Sequence, residues 1–254
     1  MEKGFFYWIV QLTKEYWPYF IKGMWITVVI AIIGTILGFI VGFLIGMLQS
    51  TKVSEGDNIT KRIGLSTLDW ICRAYVSIFR GTPMMVQAMV IYYGLKMGGA
   101  SISAFSASII VLLLNTGAYM AETVRGGIIS VDVGQLEGGF AMGMSHSMTM
   151  FNVILPQAFR NIIPEMVNMF LTNLKMTSEL NVIGVAELFF VTKTAAGTYY
   201  RYFEAYIICA VIYYILCTFF TKLLSSIEKK TFDKKDYELA AEYMNLDEGE
   251  KNGN

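Results

Sequence analysis

Charge and histidine are scarce in this sequence, and their scarcity excludes several classes of protein. Only 16% of the 254 residues are charged, the formal net charge is zero, and His146 is the single histidine. Soluble domains carry about 25% charged residues. With zero net charge no long-range attraction to nucleic acid can be argued, and one histidine without clustered partners makes neither a metal site nor a catalytic base. We therefore expect no metal, no nucleic acid partner and no enzymatic activity in this chain.

Cysteine is equally rare, and the phosphate-binding loop of an ATPase is missing. Cys72, Cys209 and Cys217 have no metal-ligand spacing, and the last two fall inside an apolar block, where a buried and inert thiol is the usual state. No GxxxxGK[ST] loop occurs in the sequence, so nothing in it would cradle the phosphates of a nucleotide. The chain is therefore expected to bind no cofactor and to hydrolyse no ATP itself.

Long hydrophobic runs are what the chain has in abundance. Hydrophobic residues make up 55% of it, and its mean hydropathy is +0.50. Residues 24–48 contain no charge, and a helix of that length, rising about 1.5 Å per residue, crosses a hydrocarbon core of about 30 Å. The pattern predicts an all-α membrane protein with five transmembrane helices, in the blocks 24–48, 74–95, 101–121, 161–191 and 204–224.

The distribution of Lys and Arg predicts the orientation in the membrane. The loops on one side of the five predicted spans hold eleven of these residues, and those on the other side hold six. Because cytoplasmic loops are the richer ones, we expect the N-terminus outside and the C-terminus in the cytoplasm. The expected organisation is an interfacial N-terminal helix over 1–22, a transmembrane domain over 23–227 and a charged cytoplasmic tail over 228–254.

Four glycines in the first span stand at strict four-residue spacing: Gly34, Gly38, Gly42 and Gly46. Residues four apart share a helix face, so this span presents a flat strip on which another helix can approach closely. The pattern favours a packed transporter core, and the alternative is a lipid-facing helix with incidental glycines.

The second block begins with an arginine and a proline, Arg80 and Pro83. Proline removes a helical hydrogen bond and clashes with the preceding turn, so a bend or break is expected there. A charged Arg80 at this depth must pair, snorkel or face water. It belongs either to a site beside a broken helix, as in many transporters, or to the cytoplasmic interface.

Between the third and fourth blocks, Glu137 is followed by Gly143 after five residues and by Leu155-Pro156 after eleven more. This spacing resembles the cytoplasmic signature of importer permeases of the ABC class. That signature reads Glu-Ala-Ala, three residues, Gly, nine residues and Ile-x-Leu-Pro; here glycines replace the two alanines and Val153 replaces the isoleucine. The resemblance implies a loop, about 134–160, that couples to an ATPase. Small residues let a short helix seat closely in a partner, although this helix could instead pack on its own bundle. The matching residues are Glu137, Gly138, Gly139, Gly143, Leu155 and Pro156.

Further matches narrow the resemblance to the polar amino acid subfamily, which includes glutamine, histidine, arginine and cystine importers. They include Phe79-Arg80-Gly81-Thr82-Pro83, Asn115-x-Gly117-Ala118-Tyr119-x-Ala121-Glu122, Leu174-Lys175-x-Thr177-Ser178 and Val182-Ile183-Gly184-Val185-x-Glu187. The resemblance covers residues 24 to about 225. It implies a type I importer permease fold in a bacterial inner membrane. The implied partners are a second permease subunit, two ATPase subunits that bind ATP and Mg, and an extracytoplasmic solute-binding protein.

Transport by alternating access of a polar amino acid is the function that this resemblance implies. The competing interpretations are another small solute, such as an opine or an amino acid derivative, and an ion-coupled secondary transporter. The latter usually has more spans and an internal repeat.

Glu179 departs from the subfamily pattern, which usually has hydrophobic and small residues there. A carboxylate at this depth should face the bundle interior or a cavity. On a continuous helix it shares a face with Asn168, Thr172 and Lys175. We expect Glu179 either to meet the ammonium group of the substrate or to form an ion pair with Lys175. The candidates for the substrate path are Arg80, Gln87, Asn115, Lys175 and Glu179.

Overall fold

A computed structural model describes residues 4–50 and 58–231 of the chain, and all regular structure in those ranges is helical. A π-helical turn, Met150–Ile154, joins α6 to α7, and a 3-10 helix, Thr177–Ile183, follows α7. The α-helices are α1 (Phe5–Ser50), α2 (Ile59–Gly81), α3 (Met84–Met97), α4 (Ala104–Ile129), α5 (Val133–Ala141), α6 (His146–Thr149), α7 (Leu155–Met176), α8 (Leu188–Tyr199) and α9 (Tyr202–Thr231).

Three of the described helices are long and apolar enough to cross a membrane: α1, α4 and the Tyr202–Ser226 part of α9. A fourth span results if the bent pair His146–Ile183 and Leu188–Tyr199, with 54° between its parts, counts as one. The predicted span 74–95 is divided between the end of α2 and the 14-residue α3. Pro83 is the physical reason, because it cannot continue the helical hydrogen bonding. The count of five spans and the orientation stay predictions.

The predicted boundary at residues 22 and 23 is not a helix boundary. α1 runs uninterrupted across it, with Pro18 inside the helix. Leu12 and Phe20, two turns apart, are buried in a cluster with residues of α8 and α9. This packing holds the N-terminal half of α1 in line with the rest of the helix. An interfacial position for residues 1–22 stays a prediction, and the predicted tail lies outside the described residues beyond Thr231.

The centre of the bundle is the contact between α1 and α4. The four glycines of α1 face, in chain order, Leu112, Thr116, Met120 and Val124 of α4. Both sets advance by four residues, so the two helices run in the same direction and end at the same end of the bundle. A β-carbon added at Gly42 would lie 2.5 Å from the Cβ of Met120. This contact confirms the packed-core interpretation of the glycine pattern.

A buried amide ties α7 to this central pair. The side-chain Nδ2 of Asn173 donates to the hydroxyl of Thr35 at 2.8 Å and to the hydroxyl of Thr116 at 2.9 Å. Asn173 and Thr116 are fully buried, and Thr35 is 6% exposed. Hydrogen bonds between helices are a main source of specific packing inside a membrane. The amide therefore fixes the rotation of α7, which decides the residues that α7 leaves exposed.

Candidate translocation site and coupling segment

The chain breaks its helix at Thr82 and Pro83, as the sequence predicts. α2 ends at Gly81 and α3 begins at Met84. Carbonyl groups at such a break have lost their helical donors and need others. The side-chain Nε2 of Gln87 donates to the carbonyl of Phe79 at 2.8 Å and to that of Thr82 at 2.9 Å. Gln87, a residue of α3, thus supplies donors to the carbonyl groups that the break leaves unpaired.

Asn115 of α4 supports Gln87 from the neighbouring helix. Its Nδ2 donates to Oε1 of Gln87 at 3.0 Å, and the two side chains are only 2% and 7% exposed. Buried amides that hydrogen-bond each other and the backbone keep an irregular segment in one arrangement. The structure therefore shows this pair holding the break, whereas contact of either amide with a substrate stays a prediction.

Glu179 takes a third role that neither sequence interpretation contained. The helix α7 ends at Met176, so Glu179 lies in the 3-10 helix rather than on the continuous helix assumed above. Its Oε2 accepts a hydrogen bond of 2.9 Å from the backbone N–H of Met85, in the first turn of α3. Within the described ranges no ion pair joins Glu179 to Lys175. A carboxylate at a helix N-terminus satisfies an unpaired N–H and complements the helix dipole.

A second carboxylate, that of Glu187, caps the N-terminus of α8, which follows the bend after the 3-10 helix. The sequence analysis assigned no role to Glu187. The chain turns at Gly184, which has a φ of +84°, before α8 begins at Leu188. The Glu187 carboxylate accepts from the N–H groups of Phe189 at 2.8 Å and Phe190 at 2.7 Å. It is fully buried and also accepts from the hydroxyl of Tyr213. The sequence carries only a weak indication of this cap, because Glu is not among the preferred N-cap residues.

α7 carries an exposed polar stripe along its length. Its members follow each other at spacings of three or four residues, the spacing of one helix face, and the opposite side of α7 buries Ile162, Phe170 and Leu174. Polar and charged groups on a membrane helix are expensive in lipid and face a water-filled cavity or a protein. The stripe consists of Asn161, Glu165, Asn168, Thr172 and Lys175.

Lys175 stands at the end of the stripe beside a cavity of about 290 Å³ between α7, α8 and α9. Ser178 and the aromatic rings of Phe189, Tyr206 and Tyr213 line the same cavity. A cation with a hydroxyl and aromatic faces around it can receive the carboxylate and the side chain of a small polar solute.

Arg80 is held to α4 rather than aimed into lipid. Its guanidinium lies 4.0 Å from the carboxylate of Glu122 and 5.5 Å from the ring centre of Tyr119. The side chain of Arg80 remains 43% exposed. The structure thus groups three of the five predicted path residues, Arg80, Gln87 and Asn115, around the break at Pro83. Glu179 is connected to this group by its hydrogen bond to Met85 of α3. Lys175 lies apart, at the cavity between α7, α8 and α9.

The central segment folds into the short helix α5 followed by a tight turn. The side chain of Asp132 caps α5 by accepting from the N–H of Gly134 at 2.6 Å. Gly143 has a φ of +79°, a left-handed conformation that glycine adopts without strain. Gly139 is buried, and a β-carbon there would lie 2.4 Å from Cγ2 of Thr149 in α6. Gly139 therefore has to be small for packing within this chain.

The other face of α5 is left open. Glu137 and Gly138 are exposed, and a β-carbon at Gly138 would meet no atom of the described residues within 4 Å. Phe140 is 46% exposed and Met142 is 75% exposed. Exposed apolar side chains beside a small residue are typical of a surface that another protein covers.

Leu155 and Pro156, the last residues of the signature, lie inside a longer helical run. Helical backbone begins at His146 and passes through the π-helical turn before α7. Pro156 sits where the regular bonding of α7 begins, so its missing N–H costs little. Leu155 is buried with Ile154 and Ala158, which anchors the segment to α4.

A family model described as the binding-protein-dependent transport system inner membrane component matches residues 63–232. The L-cystine transport system permease protein TcyB of Bacillus subtilis is 34% identical over 222 residues, which are 87% of this chain and 89% of that protein. The arginine transport system permease protein ArtQ of the same organism is 38% identical over 63% of this chain and 74% of that protein.

Solved structures agree with these relatives. The crystal structure of an amino acid ABC transporter with histidines aligns with a TM-score of 0.77 at 35% identity, covering 91% of this chain and all of that one. An inward-facing structure of the MetNI methionine ABC transporter shares the fold, with a TM-score of 0.66 at 21% identity over 84% of this chain and 96% of that one.

The chain belongs to the family of binding-protein-dependent transport system inner membrane components. Its curated relatives are amino acid ABC transporter permeases. It is therefore a membrane subunit of a transport complex and not an enzyme.

Proposed function

We propose that this member of the permease family is the transmembrane subunit of an ATP-driven importer that carries polar amino acids into a bacterial cell across the inner membrane. The polar stripe of α7 is the observation that supports this most directly. A helix with five polar residues on one exposed face cannot lie in lipid at low cost, and a solute path explains that face. Relatives named for arginine, cystine and glutamine support the substrate class.

The membrane arrangement that we propose has five spans, with the N-terminus outside and the C-terminus in the cytoplasm. α2 and α3 together would form the second span, and α7, the 3-10 helix and α8 the fourth. The parallel directions of α1 and α4 agree with it, since the first and third spans of such a chain cross in the same direction. α5 would then face the cytoplasm.

ATP and Mg would be bound by two partner ATPase subunits, which dock on the open face of α5. Closure of the ATPases would push the segment from Glu137 to Pro156, and the buried contact of Gly139 with Thr149 makes that segment rigid enough to transmit the push. A second permease subunit would complete the cavity, and an extracytoplasmic binding protein would deliver the solute. Rocking of the two permeases would then expose the path to either side in turn.

Within the path we assign the ammonium group of the substrate to Glu179. Lys175, which lies apart, would meet the substrate carboxylate at another stage of its passage along the polar stripe. Lys175 is exposed at the end of the polar stripe. Glu179 is partly exposed and uses one carboxylate oxygen for Met85, which leaves the other oxygen for a ligand. Gln87 and Asn115 would hold α3 and Glu179 in place at the neighbouring break, and Arg80 stands beside that break against α4.

The test is solute-stimulated ATP hydrolysis by the reconstituted complex with its binding protein, screened against all common amino acids and cystine. We expect one or a few polar amino acids to stimulate hydrolysis. Lys175→Met should lower the stimulated rate about tenfold, as expected when a charged contact to the solute is lost. Lys14→Met, which removes an exposed lysine of α1, should leave the rate unchanged.

Two outcomes would overturn this proposal. If no amino acid stimulates a complex that still hydrolyses ATP, the solute is of another class, such as an opine. If uptake continues when the partner ATPases are inactivated, the chain works as an ion-coupled carrier.

A further inference from the structure

A second cavity, of about 420 Å³, lies between the end of α1, the second half of α2 and the end of α4. None of its lining residues belongs to the polar stripe of α7. Three guanidinium groups and one carboxylate line it, so positive charge is in excess. The lining residues are Gln49, Arg73, Val76, Ser77, Arg80, Glu122 and Arg125.

Among the residues that the structure describes, two of the three arginines keep unused hydrogen-bond donors. Arg125 is the exception, because it donates two hydrogen bonds to Glu122, one from Nε at 3.2 Å and one from a terminal nitrogen. Arg73 donates to Asp69 only through Nε, at 2.8 Å. In the part of the chain that the structure describes, the guanidinium of Arg80 makes no hydrogen bond, and Glu122 lies 4.0 Å from it. Guanidinium groups with free donors bind carboxylate or phosphate oxygens in pairs.

The remaining surface of α2 indicates which anion fits. With 3.6 residues per turn, Arg73 and Arg80 share one face of α2, being seven residues apart. Ile63 and Trp70, also seven apart, occupy the adjacent face and are 62% and 70% exposed. Exposed Trp and Arg side chains close together on a membrane helix mark the level of the lipid headgroups. A phospholipid presents both a phosphate and acyl chains, whereas a soluble anion would use only the arginines.

We propose that this cavity binds the headgroup of an anionic phospholipid. Arg73 and Arg80 bind the phosphate at the level of Trp70, and the acyl chains extend past Arg80 towards the bilayer centre. Basic pockets between membrane helices are known to select such headgroups. The bound lipid lies against α2 at the end of the bundle where α4 leads into α5. The site does not depend on which solute is transported.

The experiment uses the full-length chain, purified with its associated subunits and placed in nanodiscs of equal parts phosphatidylglycerol and phosphatidylcholine. Native mass spectrometry then counts the lipids of each kind that stay bound. The wild type should retain phosphatidylglycerol in preference to phosphatidylcholine. Arg73→Gln and Arg80→Gln should each reduce that preference about tenfold, and Arg80→Lys should restore part of it.

Arg62→Gln is the matched control, because Arg62 lies on the same face of α2 but outside the cavity. It should retain the preference for phosphatidylglycerol. An equal preference in wild type and both cavity variants would overturn the proposal, and so would an equal loss in the control. Displacement of the lipid by inorganic phosphate, but not by chloride at the same ionic strength, would show that the cavity takes a soluble anion instead. Solute uptake, measured in parallel, reports on the transport function separately.

Discussion

At the scale of single residues, two carboxylates explain how helices begin inside this bundle. Glu179 accepts from the first turn of α3, and Glu187 accepts from two N–H groups of α8. The first N–H groups of a helix have no partner within it, and water is scarce inside a membrane. Both carboxylates therefore accept hydrogen bonds from backbone N–H groups that would otherwise be unpaired. Glu179 does so for α3 from the 3-10 helix that follows α7.

Glu179 gives a prediction at this scale. Glu179→Ala should lower the free energy of unfolding by about 1 kcal/mol, since it leaves the Met85 N–H without its acceptor. Glu179→Gln keeps a carbonyl oxygen and should cost less. Thermal unfolding of the purified permease measures both. Glu165→Ala, which removes an exposed carboxylate of α7, should change little.

The same pair of variants separates capping from recognition. If Glu179→Gln folds as the wild type does but changes solute preference, the carboxylate contacts the substrate. Unchanged uptake and preference would contradict the role in recognition and leave only the cap. Equal destabilisation by Gln and Ala would contradict the cap itself.

At the scale of helices, the parallel contact of α1 with α4 organises the bundle. Gly42 approaches backbone as well as side chains, because an added β-carbon would lie 2.7 Å from the carbonyl oxygen of Gly117 and 2.8 Å from the N–H nitrogen of Ala121. At Gly34 the nearest atoms all belong to the side chain of Leu112. A side chain can turn aside, but a helix backbone cannot.

The difference predicts a graded effect of alanine substitution. Gly42→Ala should destabilise the permease by about 1–3 kcal/mol, the usual cost of overpacking, and Gly34→Ala should cost less. Gly94→Ala is the control, since a β-carbon there meets no atom within 4 Å. It should be neutral or slightly stabilising, because alanine favours a helix. Thermal unfolding and yield of the assembled complex measure the effect, and equal effects at all three positions would contradict the contact.

At the scale of the whole molecule, the end of the bundle that carries α5 brings together the open face of α5 and the arginine cavity. Gly138 and Gly139 show how the two faces of α5 differ. Gly139 is packed on Thr149 within the chain, whereas Gly138 meets no atom within 4 Å. The glycine pair at the signature positions thus serves internal packing at one residue and leaves space for a partner at the other.

This division predicts two different phenotypes. Gly139→Val should destabilise the permease itself, because the side chain collides with Thr149. Gly138→Trp should leave thermal stability unchanged and reduce the amount of ATPase that co-purifies, because the ring occupies the docking face. Normal ATPase binding by Gly138→Trp would contradict docking on this face of α5.

The sequence by itself determined the class of this protein, because its signals are local. Apolar runs, the proline at residue 83 and the spacing from Glu137 to Pro156 each depend on neighbours along the chain, so the helical fold, the break and the family could be read directly. The glycine spacing likewise predicted a close helix contact. It could not name α4 as the partner, because complementary surfaces far apart in the chain decide pairing.

Only the tertiary structure decided what the polar residues do. Glu179 and Met85 are 94 residues apart, and Gln87 and Asn115 are 28 apart, so no local pattern joins them. The end of α7 at Met176 moved Glu179 off the face it was expected to share with Lys175. Helical periodicity predicts a face only while the helix continues. The partners of buried polar groups are decided by the packing of helices that are distant along the chain, and the spacing of residues does not predict that packing.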